Sequence, residues 1–192
     1  MMKLLVYIFF SFFVLFSGCV SKEDNQETVR IDLTYELINS IIADTTDIYV
    51  KNNVKLISEV TILLPTVMGF GESEFDLYKK LFNENDTVNI IAQLENSLYF
   101  EIDSTKIENA KILPKNVHFK YSSSDEFWTF LYENNYRAYI TFSKPIFSKD
   151  NSFVYIRLGV RCGRLCGSGE SRLYIRKNDK WVLVKSFAKW IS

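Results

Sequence analysis

The chain has 192 residues, of which 47% are hydrophobic and 16% aromatic, and its 23 basic residues balance 23 acidic ones to a formal net charge of 0. This length suits one domain, and the apolar content excludes a disordered chain. The neutral balance gives no electrostatic indication of nucleic-acid binding.

Residues 1–18 have the pattern of an export signal. Lys3 supplies a positive start, and residues 4–16 are apolar except for Ser11. The run is too short for a membrane-spanning helix, which needs about 20 apolar residues. We therefore predict a removable signal peptide at 1–18. A retained N-terminal anchor and an ordinary secretory leader with an incidental cysteine stay open as alternatives.

Cys19 follows the small residues Ser17 and Gly18 and precedes a strongly polar stretch. This motif resembles a lipobox of the Bacteroidota type of bacterial lipoprotein. The resemblance implies an acylated Cys19 that holds the protein at the lipid bilayer of the cell envelope, in the outer membrane. Two or more acyl chains anchor a protein stably. The implied organisation is a lipidated flexible tether at 19–28 and one globular domain at 29–192.

Helical patterns dominate the first two thirds of the chain. Apolar residues recur at helical spacing from Leu33 to Ile42. Capping residues introduce further helices at about 73–82, from Asp86 or Thr87 to 98, and from Ser123 to about 132. Between these helices, residues 54–64 read as an apolar strand. We predict His118 to be an ordinary strand residue rather than a lone base.

The last third changes to a strand pattern. β-rich segments lie at 139–142, 153–160, 171–175 and 181–187. The strand at 153–160 follows turn residues at 149–151. A glycine-rich segment at 162–169 separates it from the strand at 171–175, and turn residues at 178–180 separate that strand from the last one. We predict an antiparallel meander covered on one face by the earlier helices, which makes the fold class α+β.

Two cysteines remain after Cys19, and they lie four residues apart at Cys162 and Cys166. In an oxidising envelope we predict a disulfide between them, with free thiols as an alternative. The C-x3-C spacing differs from the C-x-x-C of thiol oxidoreductases, and zinc would lack further ligands. We therefore expect no metal and no cofactor.

Five of the seven arginines fall within one segment of twenty residues that forms the predicted hairpin. They are Arg157, Arg161, Arg164, Arg172 and Arg176. Strand alternation places Tyr155 on the side of Arg157, and Tyr174 on the side of Arg172. If the hairpin brings these sides together, the result is an arginine and tyrosine surface beside glycine-rich backbone, which could bind an anion. The alternative is a solvated face of a half-buried sheet.

Aromatic residues suggest a second candidate. Phe127, Phe130 and Leu131 form one stripe of the predicted third helix, and Trp128 and Tyr132 lie beside it. The pair could stack on a sugar ring or a partner, but a wide buried stripe is the favoured interpretation.

No nucleophile-elbow or phosphate-loop motif occurs, and Ser168 in Gly167-Ser168-Gly169 reads as a turn residue. The C-terminal third, with 142–148, 162–169, 180–181 and 190–192, resembles the ending of small Bacteroidota lipoproteins, which implies no activity. We predict a membrane-anchored domain that binds an unknown protein or an anionic ligand and is not an enzyme. The alternatives are an envelope hydrolase acting on glycan or peptide, and a structural subunit of a surface assembly.

Overall fold

The structure, a computed structural model, describes residues 22–44, 47, 56–59, 87–95, 100–121 and 123–192. The predicted signal peptide, Cys19 and the helix expected at 73–82 lie outside the described residues. The chain divides into two units, 1–32 and 33–192. The sheet and the helices that pack on it belong to the second unit, and the single domain at 29–192 stays a prediction.

Four α-helices, one short 3-10 helix and seven strands lie in the described residues. The helices are α1 (Lys22–Ala43), α2 (Thr87–Glu95), α3 (Lys115–Lys120) and α4 (Ser124–Glu133), with the 3-10 helix at Ser104–Lys106. The strands are β1 (Leu56–Ser58), β2 (Lys111–Leu113), β3 (Tyr139–Phe142), β4 (Ile146–Phe147), β5 (Phe153–Gly163), β6 (Cys166–Lys177) and β7 (Lys180–Ile191). The predicted α+β class is confirmed. Residues 22–28, expected as a flexible tether, form the start of α1, where polar residues such as Lys22, Glu23 and Gln26 have good helix propensity.

The strands form one mixed sheet in the order β2-β1-β3-β5-β6-β7, with β4 beside β5. Strands β5, β6 and β7 are consecutive antiparallel neighbours, as the meander prediction requires. Strand β1 lies within the first half of the strand expected at 54–64 and runs parallel to both β2 and β3. This parallel pairing joins residues that are far apart in the sequence, and no local pattern predicts it.

Cross-strand partners divide the side chains of the sheet between two faces. We call one the α1 face, because Val154, Ile156 and Leu158 of β5 form a core there with Leu37 and Ile38 of α1. The other carries glycines at 159, 167 and 169, and we call it the glycine face.

Helices also pack on the two ends of the glycine face. At one end, Ile90 of α2 packs with Ile146 and Tyr155. At the other end, Leu131 and its neighbours in α4 pack with Leu56 of β1 and Tyr139 of β3. Helices therefore cover parts of both faces, rather than the one face expected from the sequence.

Helix α4 begins where the capping pattern predicts. The side-chain oxygen of Ser123 accepts a hydrogen bond from the backbone N–H of Glu126 at 3.2 Å, which satisfies one of the free amides of the first turn. Asp125 and Glu126 place negative charge near the positive end of the helix dipole. The strand assignment for His118 is wrong, because residues 115–120 form α3 directly after Pro114, a residue suited to helix starts.

The two reversals predicted at 149–151 and 178–180 are confirmed. Asp150 accepts hydrogen bonds from the hydroxyls of Ser148 and Ser152 at 2.6 and 2.7 Å. These hydrogen bonds, the hydroxyl of Ser148 first, lower the pKa of the Asp150 carboxyl. Asn178 and Asp179 have φ values of 49° and 56°, the left-handed pair of a tight hairpin turn. The third reversal is shorter than predicted, since β6 starts at Cys166, and the turn assignment for Ser168 is wrong.

Candidate functional site

The hairpin of β5 and β6 carries the predicted disulfide. Cys162 and Cys166 are bonded, with their Cα atoms 5.1 Å apart. The register of the hairpin shifts between Arg161 and Gly163, so Cys162 is the extra residue of a bulge beside the turn. The disulfide prediction is confirmed, and the bond lies at the tip of the strands that carry the arginines.

The register of this hairpin separates the arginines that the sequence seemed to bring together. Tyr155 lies opposite Leu173, Arg157 opposite Ser171, and Ile156 opposite Arg172. Directly opposed residues share a face of the sheet. Tyr155, Arg157 and Arg161 therefore lie on the glycine face, whereas Arg172, Tyr174 and Arg176 lie on the α1 face. The prediction of one arginine and tyrosine surface is wrong, because sequence alternation gives the faces of each strand but not the pairing between strands.

Arg172 is a buried structural residue with only 3% of its surface exposed. Its guanidinium forms a two-pronged ion pair with Asp47, including an Nη2 to Oδ1 distance of 3.1 Å. It also bonds Glu170, and donates to the Tyr174 hydroxyl at 3.1 Å. Burial opposes its charge, but the hydrogen bonds that the guanidinium donates to Asp47 and its other partners outweigh that effect and raise the pKa of Arg172. These partners occupy the side chain, so it is not available to a ligand.

Tyr174 and Tyr155 are also internal. Burial raises the pKa of the Tyr174 hydroxyl, although Arg172 acts in the opposite direction. The hydroxyl of Tyr155 lies 2.9 Å from that of Ser171, within a second small core. Neither tyrosine presents its ring to solvent, so the weak ligand-binding assignment for both finds no support in their positions.

Arg164 and Arg176 are held by carboxylates. Arg164, at the hairpin tip, lies 3.2 Å from Asp125 of α4 in an exposed ion pair. Arg176 lies 3.1 Å from Glu36 of α1 and 3.6 Å from Asp179. Exposed pairs of this kind contribute about 0–1 kcal/mol to stability, so they position the side chains more than they stabilise the fold.

The glycine face is built around Trp190. A Cβ on Gly169 would come within 2.5 Å of the Trp190 indole nitrogen, and a Cβ on Gly159 within 3.2 Å of its ring. Glycine inside a strand weakens it unless something must approach closely. Here the indole lies against the two strands at the positions where side chains are missing. The glycines that the sequence suggested as a turn or an anion nest instead make room for this ring.

Arg161 and Arg157 flank this tryptophan. The Arg161 guanidinium lies over the Trp190 ring, 4.9 Å from its centre, and Gly167 beside it gives the side chain room to lie along the sheet. Arg157 lies two positions before Gly159 on the same strand and is half-buried. Within the described residues neither guanidinium has a carboxylate partner. We define Arg157, Arg161 and Trp190 as the arginine–tryptophan patch.

The charged strand residues around this patch are of one sign. Glu170 is the only carboxylate in β3, β4, β5, β6 and β7, and its pairing with Leu158 puts it on the α1 face. The glycine face of these strands carries Arg157, Arg161 and Lys185 without a compensating acid, since Lys185 lies opposite Leu173. The strands therefore contribute only positive charge to this face, whereas α4, which packs at one end of it, brings Asp125 to Arg164.

The aromatic stripe of α4 is part of the core. Trp128 is buried and stacks on Tyr139 with ring centres 5.7 Å apart, while Tyr132 tilts against it at 5.9 Å. Tyr132 is partly exposed and donates to the carbonyl of Cys162 at 3.5 Å. The favoured interpretation of a wide buried stripe is confirmed for Phe127, Trp128 and Leu131.

Two kinds of feature are absent from the described residues. Among them, no three His, Cys, Asp or Glu side chains gather closely enough to hold a metal ion. Likewise, no helix in the described part of the chain combines the length and the apolar character needed to span a bilayer.

Comparisons with known proteins give no relative. No protein-family model, no curated protein and no solved structure matches this chain.

Proposed function

We propose that this chain is a lipid-anchored protein of the cell envelope, held in the outer membrane through Cys19, whose folded part binds an anionic ligand at the arginine–tryptophan patch. The observation that carries the binding part is the pair of guanidiniums, Arg157 and Arg161, on one face without a carboxylate partner among the described residues. The leader pattern at 1–19 carries the anchoring part.

The disulfide supports export. Disulfides persist in oxidising compartments and are rare in the cytosol. The bond between Cys162 and Cys166 closes a short loop at the tip of the hairpin, beside the bulge, and such a bond suits a protein folded outside the cytoplasm. It also leaves Cys19 as the one cysteine of the sequence outside a disulfide pair, as lipidation requires.

The patch has the chemistry of an anion site. Arginine presents a planar fork of N–H donors that matches carboxylate, phosphate and sulfate groups. The Trp190 ring fixes the Arg161 side chain by a cation–π contact, so less side-chain freedom is lost when a ligand binds. The ligand class is therefore a molecule with one or more acidic groups, such as an acidic glycan.

Metabolic labelling with a palmitate analogue tests the anchor. We expect the full chain to be labelled, Cys19→Ala to lose the label, and Cys162→Ala to keep it. Equal labelling of the parent and Cys19→Ala would remove the anchoring part of the proposal.

Titration calorimetry tests the ligand site, with pyrophosphate and an oligogalacturonate as probes. We expect Arg157→Gln with Arg161→Gln to weaken binding by about tenfold or more, because hydrogen bonds to charged groups contribute about 1.5–3 kcal/mol. Arg137→Gln, at an exposed loop position, is the matched control. Affinity that is unchanged in the double variant, or lost equally in the control, would contradict the site.

A further inference from the structure

The last strand, β7, forms one edge of the sheet. It is 12 residues long and pairs with β6 along one side. Within the described residues, nothing pairs with its other side. The opposite edge, β2, has only three residues. A long edge strand presents a row of backbone N–H and C=O groups that can pair with another extended chain.

The first half of this edge is apolar and exposed. Val182, Leu183 and Val184 expose 44%, 46% and 54% of their surface. Val182 lies opposite Ile175 and Leu183 opposite Tyr174, so the apolar surface continues over both faces of the strand. Soluble edges are commonly shielded by shorter strands or by charges that point inward. This edge carries lysines and two register shifts, which also shield edges, but between Lys180 and Lys185 it exposes three consecutive aliphatic residues.

Two aromatic side chains hold β7 in place. The Trp181 ring lies 6.0 Å from that of Phe147 on the α1 face, and the Phe187 ring lies 5.8 Å from that of Tyr155 on the glycine face. The strand is thus fixed on both faces while its outer side stays open. A partner strand would meet an ordered template and would not have to order it.

The charges of β7 indicate which partner fits. Lys180, Lys185 and Lys189 lie along the strand, and residues 180–192 contain no Asp or Glu. Lys189 lies 3.5 Å from Glu170, but Lys180 and Lys185 have no carboxylate partner in the described residues. A second copy of β7 that paired in parallel and in register would bring each lysine against its own counterpart, and like charges that lie directly opposite destabilise strand pairing. An incoming strand with acidic residues would pair with them.

We propose that the outer edge of β7, centred on Lys180–Val184, binds an extended segment of a partner protein that alternates acidic and aliphatic residues, by adding it to the sheet as a further strand. Backbone pairing supplies affinity in such complexes, and side chains at alternate positions supply specificity. The first register shift of β7 lies next to Val184, between the pairings of Lys185 and Leu183. The docking segment therefore begins with the regular stretch before this shift, and Lys185 lies directly beyond it.

Fluorescence anisotropy on the full chain in detergent micelles tests this inference. The probes are two labelled peptides, one alternating Val and Glu and the other alternating Val and Lys. We expect the Val–Glu peptide to bind about tenfold or more tightly than the Val–Lys peptide, because cross-strand charge pairs change sign between them. Lys180→Glu with Lys185→Glu should reverse this preference. Arg137→Glu, with the same type of charge change away from the edge, should leave it unaltered.

Three outcomes would overturn the inference. Equal binding of the two peptides would remove the charge argument. Loss of peptide binding in the double variant Arg157→Gln with Arg161→Gln would indicate that the peptide binds at the arginine–tryptophan patch. Retained binding would indicate that the two sites are separate. A dimer in sedimentation velocity that Val184→Lys dissociates would make a second copy of this chain the occupant.

Discussion

Arginines have opposite surroundings on the two faces of the sheet. On the α1 face, Arg172 is buried and bonded to Asp47, Glu170 and Tyr174. On the glycine face, Arg157 and Arg161 come from the neighbouring strand and have no carboxylate partner in the described residues. The difference teaches that an arginine cluster in a sequence indicates a ligand site only after the strand register is known. Of the five clustered arginines, the register and the ion pairs of Arg164, Arg172 and Arg176 leave two available.

The largest expected effect is a loss of stability on removing Arg172 from the α1 face. Arg172→Met would remove the guanidinium that faces the buried carboxylates of Asp47 and Glu170, and breaking a buried ion pair costs about 3–5 kcal/mol of unfolding free energy. Arg157→Met removes the same side chain from the glycine face and should change stability by less than about 1 kcal/mol. Urea unfolding of both variants measures the difference. Similar losses in the two would mean that the faces are not distinct.

The next effect concerns the space beneath Trp190. In Gly169→Ala the new methyl group would lie 2.6 Å from the carbonyl oxygen of Leu158 as well as against the indole. Overpacking of this kind costs about 1–3 kcal/mol. Gly163→Ala is the matched control, because its nearest neighbour would be 3.5 Å away. Thermal unfolding compares the two, and adding Trp190→Ala should relieve part of the loss in Gly169→Ala but not in Gly163→Ala.

A smaller effect is expected for the contact between Arg161 and Trp190 on the glycine face. If Arg161 is held by the Trp190 ring, a double-mutant cycle between Arg161→Ala and Trp190→Ala should give a coupling energy of about 0.5–1 kcal/mol, the range for exposed cation–π pairs. The same cycle between Arg157→Ala and Trp190→Ala should give a lower value. Urea unfolding of the four variants supplies both energies, and equal couplings would contradict a specific stack.

The smallest effect depends on pH and belongs to the α1 face. Burial raises the pKa of Tyr174 above its ordinary value of 10.0, so the unfolded chain loses this proton at lower pH than the folded one. The stability linked to the neutral hydroxyl is complete below pH 10 and is lost as the pH rises towards the folded pKa. Tyr174→Phe should therefore lose stability less steeply between about pH 9 and 11. Identical slopes for the two proteins would contradict the shift.

Local patterns predicted most of the elements but not how they meet. Strand β3 has the predicted bounds, and α4 starts at the predicted cap, because both follow from periodicity and capping within a few residues. The pairing of Tyr155 with Leu173, which decides the faces, depends on where the hairpin turns and on the bulge at Cys162. The sequence pattern predicted the turn across residues 162–169, which is too wide a segment to fix the register of β5 against β6.

The arginine–tryptophan patch shows the same limit. The glycines at 159, 167 and 169 are visible in the sequence, but they suggested a flexible turn. Trp190 fills the space above Gly159 and Gly169, and only the strand order brings β7 next to β6. Glycine spaced by two inside a strand pattern was the available signal, since alternate positions share a face.

The disulfide beside the bulge has a consequence for how the protein should be produced. A slip of the hairpin by one residue would turn Arg172 outward and direct Leu173 towards α1, since alternate residues exchange faces. The bond between Cys162 and Cys166 fixes the length of the loop and so favours one alignment. Material made in a reducing cytoplasm should therefore be checked for misaligned, aggregation-prone forms before any binding experiment is interpreted.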